Sequence, residues 1–446
     1  MNRTFALRAS ALLCVFVTAA AHAAAKPHVL MVSIDGMRPD YVTHAAEHHV
    51  NVPTLARFMV EGAYADGVVG VFPTMTYPSH TTLVTGVWPA RHGIYNNNQF
   101  RPLDPASKDT YHLASEVKAE ELWQAAQQAG LTTASIGWPV TGENPYITWN
   151  AGGAAESEEG GEQVDRTAHL RSLGLSGSGG GDKDAKRAAW AIDIIRLHHP
   201  NFITVHLGLT DEEQHAHGPF SPEADKALEA IDGELAQLIH AELSVDPKAT
   251  IVVVSDHGFV AVNWKLNLSA YFAQNGLIHT SSTDPNDRHP KVISWDAAVW
   301  ESGGSAAIML HNPNDKAMYD KVYALLKKAQ ADPSMGIKRV LTRDEFLKDG
   351  ANPEASFFID LQPGFKMGNN LGGKVVQSTP GMGTHGYLPD QEPQVRAAFF
   401  VMGPDIARGK DLGIVDMRQI APTVAQLLGV SLPAAKQPPL SIHPNQ

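Results

Sequence analysis

The stretch Thr250-Ile251-Val252-Val253-Val254-Ser255-Asp256-His257-Gly258 decides how the rest of the chain is read. Its apolar, β-branched run is too short for a helix and shows no polar alternation, so it predicts a strand buried on both faces. The run stops at Asp256-His257-Gly258, which leaves a carboxylate and an imidazole at the strand's carboxyl end. Upstream, His28 to Ile34 is a second such run, ended by Asp35-Gly36. Asn201 to Leu207 is a third, followed closely by Asp211 and His215.

Segments with helical spacing alternate with these runs. Pro53 to Glu61 predicts a short helix, and Glu116 to Gln128 another that stops at Gly130. Leu131 to Ile136 predicts a strand, and residues from about Asp184 to His198 a helix. Ser221-Pro222 supplies an N-cap and a proline at the first helical position. Behind it, Ala224, Ala227, Leu228, Ile231, Leu235, Leu238 and Ile239 form one apolar stripe. Ala397–Met402 and a helix near Met417–Leu428 resume the pattern. The alternation predicts an α/β fold: a mostly parallel central sheet with helices on both faces.

The chain has 446 residues, 43% of them hydrophobic, enough for one large core with an insertion. We expect the core to comprise residues 26–263 and 378–446, with a smaller cap-like insertion at 264–377. A Gly- and Ser-rich stretch at 150–184 reads as a flexible insertion in the first part. Residues 1–25 read as a signal peptide: Arg3 and Arg8, an apolar stretch, then the cleavage pattern Ala21-His22-Ala23. That predicts a secreted or periplasmic protein with no membrane span after cleavage. Cys14 is the one cysteine and lies within that signal, so disulfides and thiolate metal sites are excluded from the mature chain. Any metal must use oxygen and imidazole ligands. A net charge of -12 argues against sequence-specific nucleic-acid binding. It leaves open a phosphate-ester site in which metal ions supply the positive charge.

Ligands of open α/β sheets bind beyond the carboxyl ends of the strands, which is where Asp35, Asp211 with His215, and Asp256 with His257 are predicted to lie. Asp211 and His215 are spaced to share one side of a helical turn. His385, in Gly383-Thr384-His385-Gly386, adds an imidazole in a loop whose glycines let backbone approach closely. Phe72-Pro73-Thr74-Met75-Thr76-Tyr77-Pro78-Ser79-His80 reads as a stiff, proline-bracketed loop presenting two threonine hydroxyls. Its spacing does not choose between them.

These segments together resemble the nucleotide pyrophosphatase/phosphodiesterase branch of the alkaline phosphatase superfamily. The resemblance is carried by Ser33–Tyr41, Phe72–His80, Thr85–Ile94 with Asn97, Asp211–Pro219, Val254–Gly258 and Gly383–Tyr387, in that order. It implies an alkaline phosphatase-like core and two zinc ions per chain. Asp35, Thr76, Asp256 and His257 would hold one, and Asp211, His215 and His385 the other. It selects Thr76 as the nucleophile of a phospho-threonine mechanism, with Asn97 donating to a non-bridging phosphoryl oxygen. A metal pair about 3.5–4 Å apart can activate such a hydroxyl and clamp the phosphoryl group. Tyr77 could stack on a flat leaving group, and Trp138, Tyr146 and Trp149 are further pocket candidates. His80, His92 and His217 are expected to support loops rather than touch metal. The implied substrate is a small-molecule phosphate ester, a nucleotide or another phosphodiester.

The chain departs from the nucleotide-hydrolysing pattern at 150–184, where Gly, Ala and Glu stand in place of a second aromatic wall. A phosphomonoesterase or phosphonate hydrolase would share the two-metal core, but the motifs offer no convincing Lys or Arg for the extra charge. A sulfatase would need Cys or Ser in place of Thr76. A secreted metal- or phosphate-binding protein without turnover is the alternative from another class, and Thr76 speaks against it.

Overall fold

The computed structural model describes residues 26–151, 172–173, 175, 182–282, 284, 286–390 and 392–444. The expected signal peptide therefore lies outside the described residues, as does most of the 150–184 stretch. The ends of that stretch are ordered parts of the core. Asn150 and Ala151 belong to an edge strand, and Lys183 opens the helix Lys183–His198, capped by Asp182 Oδ1 accepting from Ala185 N at 2.9 Å.

Among the described residues the central sheet has eight strands, ordered Lys410–Asp411, Ala63–Tyr64, Phe399–Met402, Thr250–Val254, Val29–Ile34, Phe202–Leu207, Thr133–Ile136 and Trp149–Ala151. Phe399–Met402 runs antiparallel to both its neighbours and the other pairings are parallel, so the sheet is mostly parallel, as its apolar runs demand. Alternate residues of Val29–Ile34 serve two cores. Leu30, Val32 and Ile34 pack with the helices Pro53–Glu61, Lys183–His198 and Pro222–Val245. Val29 and Met31 pack with the helices Thr76–Thr85, Leu122–Gln128 and Ile420–Leu428 on the other face. Every apolar position of the Pro222–Val245 stripe is buried. Among the described residues, no helix is long and apolar enough to cross a membrane.

Two local expectations differ from the structure. The helix expected from Glu116 begins only at Leu122, preceded by a 3-10 turn Ala114–Glu116, because Glu121 is extended and buried against Asn144. The proline-bracketed segment is a loop only as far as Met75, and Thr76 is the first residue of a helix. Pro78 is tolerated there because N–H groups of a first turn have no intrahelical acceptor in any case.

Within 264–377 lies a four-stranded antiparallel sheet, ordered Ala297–Ser302, Ser305–Leu310, Phe357–Leu361 and Ile337–Thr342, backed by the helix Lys316–Ala331 over its own apolar core. A three-stranded sheet joins this lobe to the rest. Its strands Val260–Leu266 and Val376–Thr384 each straddle a bound of the expected insertion, with Phe365–Met367 alongside.

Candidate active site and metal centre

The expected ligands come from separate elements and meet beyond the carboxyl ends of the central strands. Asp35 follows Val29–Ile34, and Asp256 and His257 follow Thr250–Val254. Asp211 and His215 lie on the helix Leu209–His217, which follows Phe202–Leu207. His385 follows the strand Val376–Thr384. Ligand atoms of Asp211, His215 and His385 lie within 4.8 Å of one another, and so do those of Asp35, Asp211 and His257. Asp211 thus belongs to both groups, rather than only to the second set implied by the resemblance. Asp256 adjoins the first group, its Oδ2 3.1 Å from His257 Nε2.

The imidazoles are aimed by their far nitrogens. Nδ1 of His257 donates to Gly258 O at 3.2 Å, that of His385 to Thr74 O at 2.8 Å, and that of His215 to Gly383 O at 3.2 Å. Each Nε2 is left with its lone pair toward the carboxylates, the tautomer a metal ligand requires. The rings of His257 and His385 stack face to face, 3.6 Å apart. The second group is the open side, since the His215 side chain is 38% exposed against 0% for His257.

The carboxylates fit cation binding in the same way. Asp35 Oδ1, Asp211 Oδ1 and Asp256 Oδ2 are buried and have no hydrogen-bond partner. Burial, then the charges of Asp256 and Asp211, push the Asp35 carboxyl well above its usual range, and burial also raises Asp211. Burial works against the Asp256 charge as well, but His257, His80 and hydrogen bonds hold that group low. Gly36 N and His257 N both donate to Asp256 Oδ1, at 3.1 and 3.0 Å. Buried carboxylates crowded this closely call for a cation. The oxygen and imidazole donor set suits zinc.

Thr76 stands at the mouth of this cluster. Its hydroxyl donates to His257 Nε2 at 3.4 Å, and as the first residue of a helix it lies where anions are favoured. Asn97 faces the same turn, its Oδ1 accepting from Tyr77 N at 2.9 Å, so its amide nitrogen is the donor left over. Asn96 is committed elsewhere. It donates to Glu301 O at 2.6 Å and Ser302 Oγ at 3.0 Å and accepts from Asn97 N at 2.7 Å. Tyr77 is half-buried on the helix's first turn. Trp138 is a core residue, fully buried with its ring edge-on to His80, and Trp149 stacks on His198.

A family model described as type I phosphodiesterase / nucleotide pyrophosphatase matches residues 29–388. The chain belongs to the type I phosphodiesterase/nucleotide pyrophosphatase family. It is 27% identical over 246 residues to human ectonucleotide pyrophosphatase/phosphodiesterase family member 1, an alignment covering 52% of this chain and 23% of that protein. The chain thus matches about a quarter of the length of that relative and of its rat counterpart. With mouse family member 7 it shares 25% identity over 411 residues, covering 90% of this chain and 83% of the mouse protein. Among solved structures, murine ectonucleotide pyrophosphatase/phosphodiesterase 5 shares the fold. An inactive threonine-to-alanine variant of that protein in complex with AMP superposes with a TM-score of 0.66 at 21% identity, covering 93% of this chain and 98% of the murine one.

In this phosphodiesterase-family chain, several residues around the site escape a reading of the sequence. Gln214 locks the Leu209–His217 helix to the Asp35 turn, donating to Gly36 O at 2.9 Å. Thr74 holds the His385 loop, and His206 touches Asp35 Oδ2 at 2.9 Å. Thr74 is visible in the sequence only as one of two threonine hydroxyls, and His206 only as an imidazole one residue short of a predicted strand's carboxyl end. Where loop support is expected of His80 and His92, both bond to the helix Thr76–Thr85: His80 Nδ1 donates to Thr76 O at 2.8 Å one turn back, and His92 Nε2 donates to Thr82 Oγ1 at 3.1 Å. His217 pairs with Glu213 at 3.5 Å on the same helix.

Proposed function

We propose that this protein is a secreted or periplasmic two-zinc phosphodiesterase/nucleotide pyrophosphatase, hydrolysing phosphodiester or phosphoanhydride bonds through a phospho-threonine on Thr76. The observation that carries this reading is the position of Thr76, at the first turn of a helix with its hydroxyl 3.4 Å from His257 Nε2 beside the two overlapping ligand groups. Asp35, Thr76, Asp256 and His257 would hold one zinc and Asp211, His215 and His385 the other. The zinc pair, when bound, would supply the positive charge that activates a threonine hydroxyl and offsets charge on the phosphoryl group and leaving oxygen.

The chain's own residues do the rest. The helix beginning at Thr76 fixes the hydroxyl in direction, and its amino-terminal dipole favours the approaching anion. Asn97, held through Oδ1 by Tyr77 N, keeps its Nδ2 aimed at a non-bridging oxygen. A bond forms between Thr76 Oγ1 and phosphorus as the hydroxyl gives its proton to solvent and the bond to the leaving oxygen breaks, that oxygen taking the electron pair and then a proton from water. Water then cleaves the phospho-threonine and returns the hydroxyl.

The test is a substrate panel on zinc-loaded protein: an aryl phosphate monoester, a bis-aryl phosphodiester, a nucleotide aryl diester and ATP. Diester or anhydride turnover well above monoester turnover is expected. Dominant monoester turnover would move the reading to a phosphomonoesterase, and zinc uptake without hydrolysis of any substrate would leave only a binding protein. Export rests on the first 25 residues and is checked by locating the processed chain in cell fractions.

A further inference from the structure

His206 is the next-to-last residue of Phe202–Leu207 and pairs in register with Ser33 of Val29–Ile34. Its buried ring is held at both ends. Nδ1 donates to Gly137 O at 3.0 Å, and Nε2 lies 2.9 Å from Asp35 Oδ2. Each nitrogen faces an oxygen, so turning the ring over would set carbon against oxygen at each end.

We propose that His206 is a positioning residue for Asp35: its hydrogen bond occupies Oδ2 and leaves Oδ1 as the single arm that reaches the metal. The proposal rests on the metal reading above and concerns a residue outside the expected ligand set.

The two oxygens of Asp35 have different surroundings. Oδ2 has His206, whereas Oδ1 has no hydrogen-bond partner and lies 3.4 Å from His257 Nε2, inside the first ligand group. A carboxylate tethered at one oxygen cannot rotate to offer both, so the tether sets its orientation and the way it binds. The tether is itself braced. Arg187 Nη1 donates to the carbonyl of His206 at 3.1 Å and lies 3.5 Å from Asp184 Oδ1. Asp184 Oδ2 in turn accepts from Leu209 N at 2.7 Å, at the start of the helix that carries Asp211. Gly137, which receives the other end of the ring, has a positive φ of +67°, and a Cβ there would lie 2.7 Å from Arg187 Nε. On its side the ring meets His80 edge-on at 4.6 Å, and His80 is fixed between Thr76 O and Ser33 Oγ. An imidazole that merely filled space would not need a fixed oxygen partner at each nitrogen and an arginine on its backbone.

The test is a titration of metal-free full-length protein with Zn2+ against a chromophoric chelator, which resolves the two binding steps. In His206→Leu, similar in volume but without a ring nitrogen, one step should weaken by about 10–100-fold while the other stays within about threefold, the scale for loss of an outer partner of a metal ligand. His206→Gln places an amide N–H near the Nε2 position and should recover most of the loss, which a purely space-filling role would not produce. Both steps unchanged in a folded His206→Leu variant would overturn the proposal, and so would equal weakening in the Leu and Gln variants. If the Leu variant does not fold, His206→Asn, whose amide is too short to reach Asp35, takes its place with the same expected weakening. Wild-type protein that takes up no zinc would overturn the functional reading itself, an outcome distinct from a failure in the variants alone.

Discussion

The ring of His385 donates through Nδ1 to the carbonyl oxygen of Thr74, 2.8 Å away and 311 residues distant in sequence. The Thr74 side chain completes the clasp, donating to Tyr387 O at 3.1 Å and accepting from Gly386 N at 2.9 Å. Gly386 also packs against the carbonyl of Ser302, which a Cβ there would overlap. The two threonines of one short segment therefore divide the work. Thr74 holds His385, and in the proposed mechanism Thr76 faces the reaction.

That division predicts opposite phenotypes. Thr76→Ala should keep its zinc and its melting temperature and lose turnover by roughly three to six orders of magnitude. Thr74→Ala leaves the buried Gly386 N–H without its acceptor and should cost about 1–3 kcal/mol of stability. Its turnover at saturating zinc should stay within an order of magnitude of wild type. Thermal melts and zinc-saturated kinetics on the two variants separate the roles.

Asn97 and Asn96 should separate in the same manner. Asn97→Ala removes the donor expected at a phosphoryl oxygen and should lower kcat/KM by about 10²–10³-fold. Asn96→Ala instead cuts the tie to Glu301 and Ser302 on the smaller lobe, so stability should fall more than the chemical step does. Equal kinetic losses would contradict the assignment of Asn97.

Chelation should destabilise the protein. Without cations, burial raises both Asp35 and Asp211, and the charges of Asp256 and Asp211 raise Asp35 further, an unfavourable arrangement that a bound metal would relieve. Free zinc at a thousandfold its Kd would add about 4 kcal/mol per site. Treatment with EDTA should lower the melting temperature by several degrees and added zinc should restore it. A melting temperature indifferent to both would mean that the cluster binds no metal.

A separate pH effect arises far from the site. Glu121 is buried with Asn144 Nδ2 donating to its Oε2 at 2.8 Å, and burial pushes its pKa up from 4.5 to about 8. The folded state holds that proton more tightly than the unfolded chain. The associated stability is complete below pH 4.5 and is lost as the pH rises to about 8. Glu121→Gln, neutral throughout, should flatten the fall in melting temperature between about pH 5 and 8. Parallel melting curves against pH for the two proteins would refute this.

The sheet and most of the cluster could be read in advance because both depend on local pattern. Thr250–Val254 announces itself by β-branched residues, and Pro222–Val245 by its cap and stripe. Asp35, Asp256 and His257 follow because residues at strand ends face the ligand side of an α/β sheet. The Thr76 helix could not be read, since two prolines argue for a loop until Pro78 is seen to fall within the first turn. Thr74 and His206 left almost no pattern, since each depends on a distant segment: Thr74 on the 385–387 loop, and His206 on the register that sets it opposite Ser33. Asn96 and Asn97 are chemically identical neighbours, told apart in the structure by the Ala297–Ser302 strand that takes Asn96 and the Tyr77 N–H that takes Asn97.

The wide separation of Asp35 from His385 also bears on when activity can begin. A ribosome releases the first ligand some 350 residues before the last. A nascent chain holding Thr76 but not His385 has the hydroxyl without the group that closes its surroundings. With the proposed site, such a chain would be inert toward phosphate esters, and hydrolysis would wait until synthesis has passed the Thr74–His385 contact.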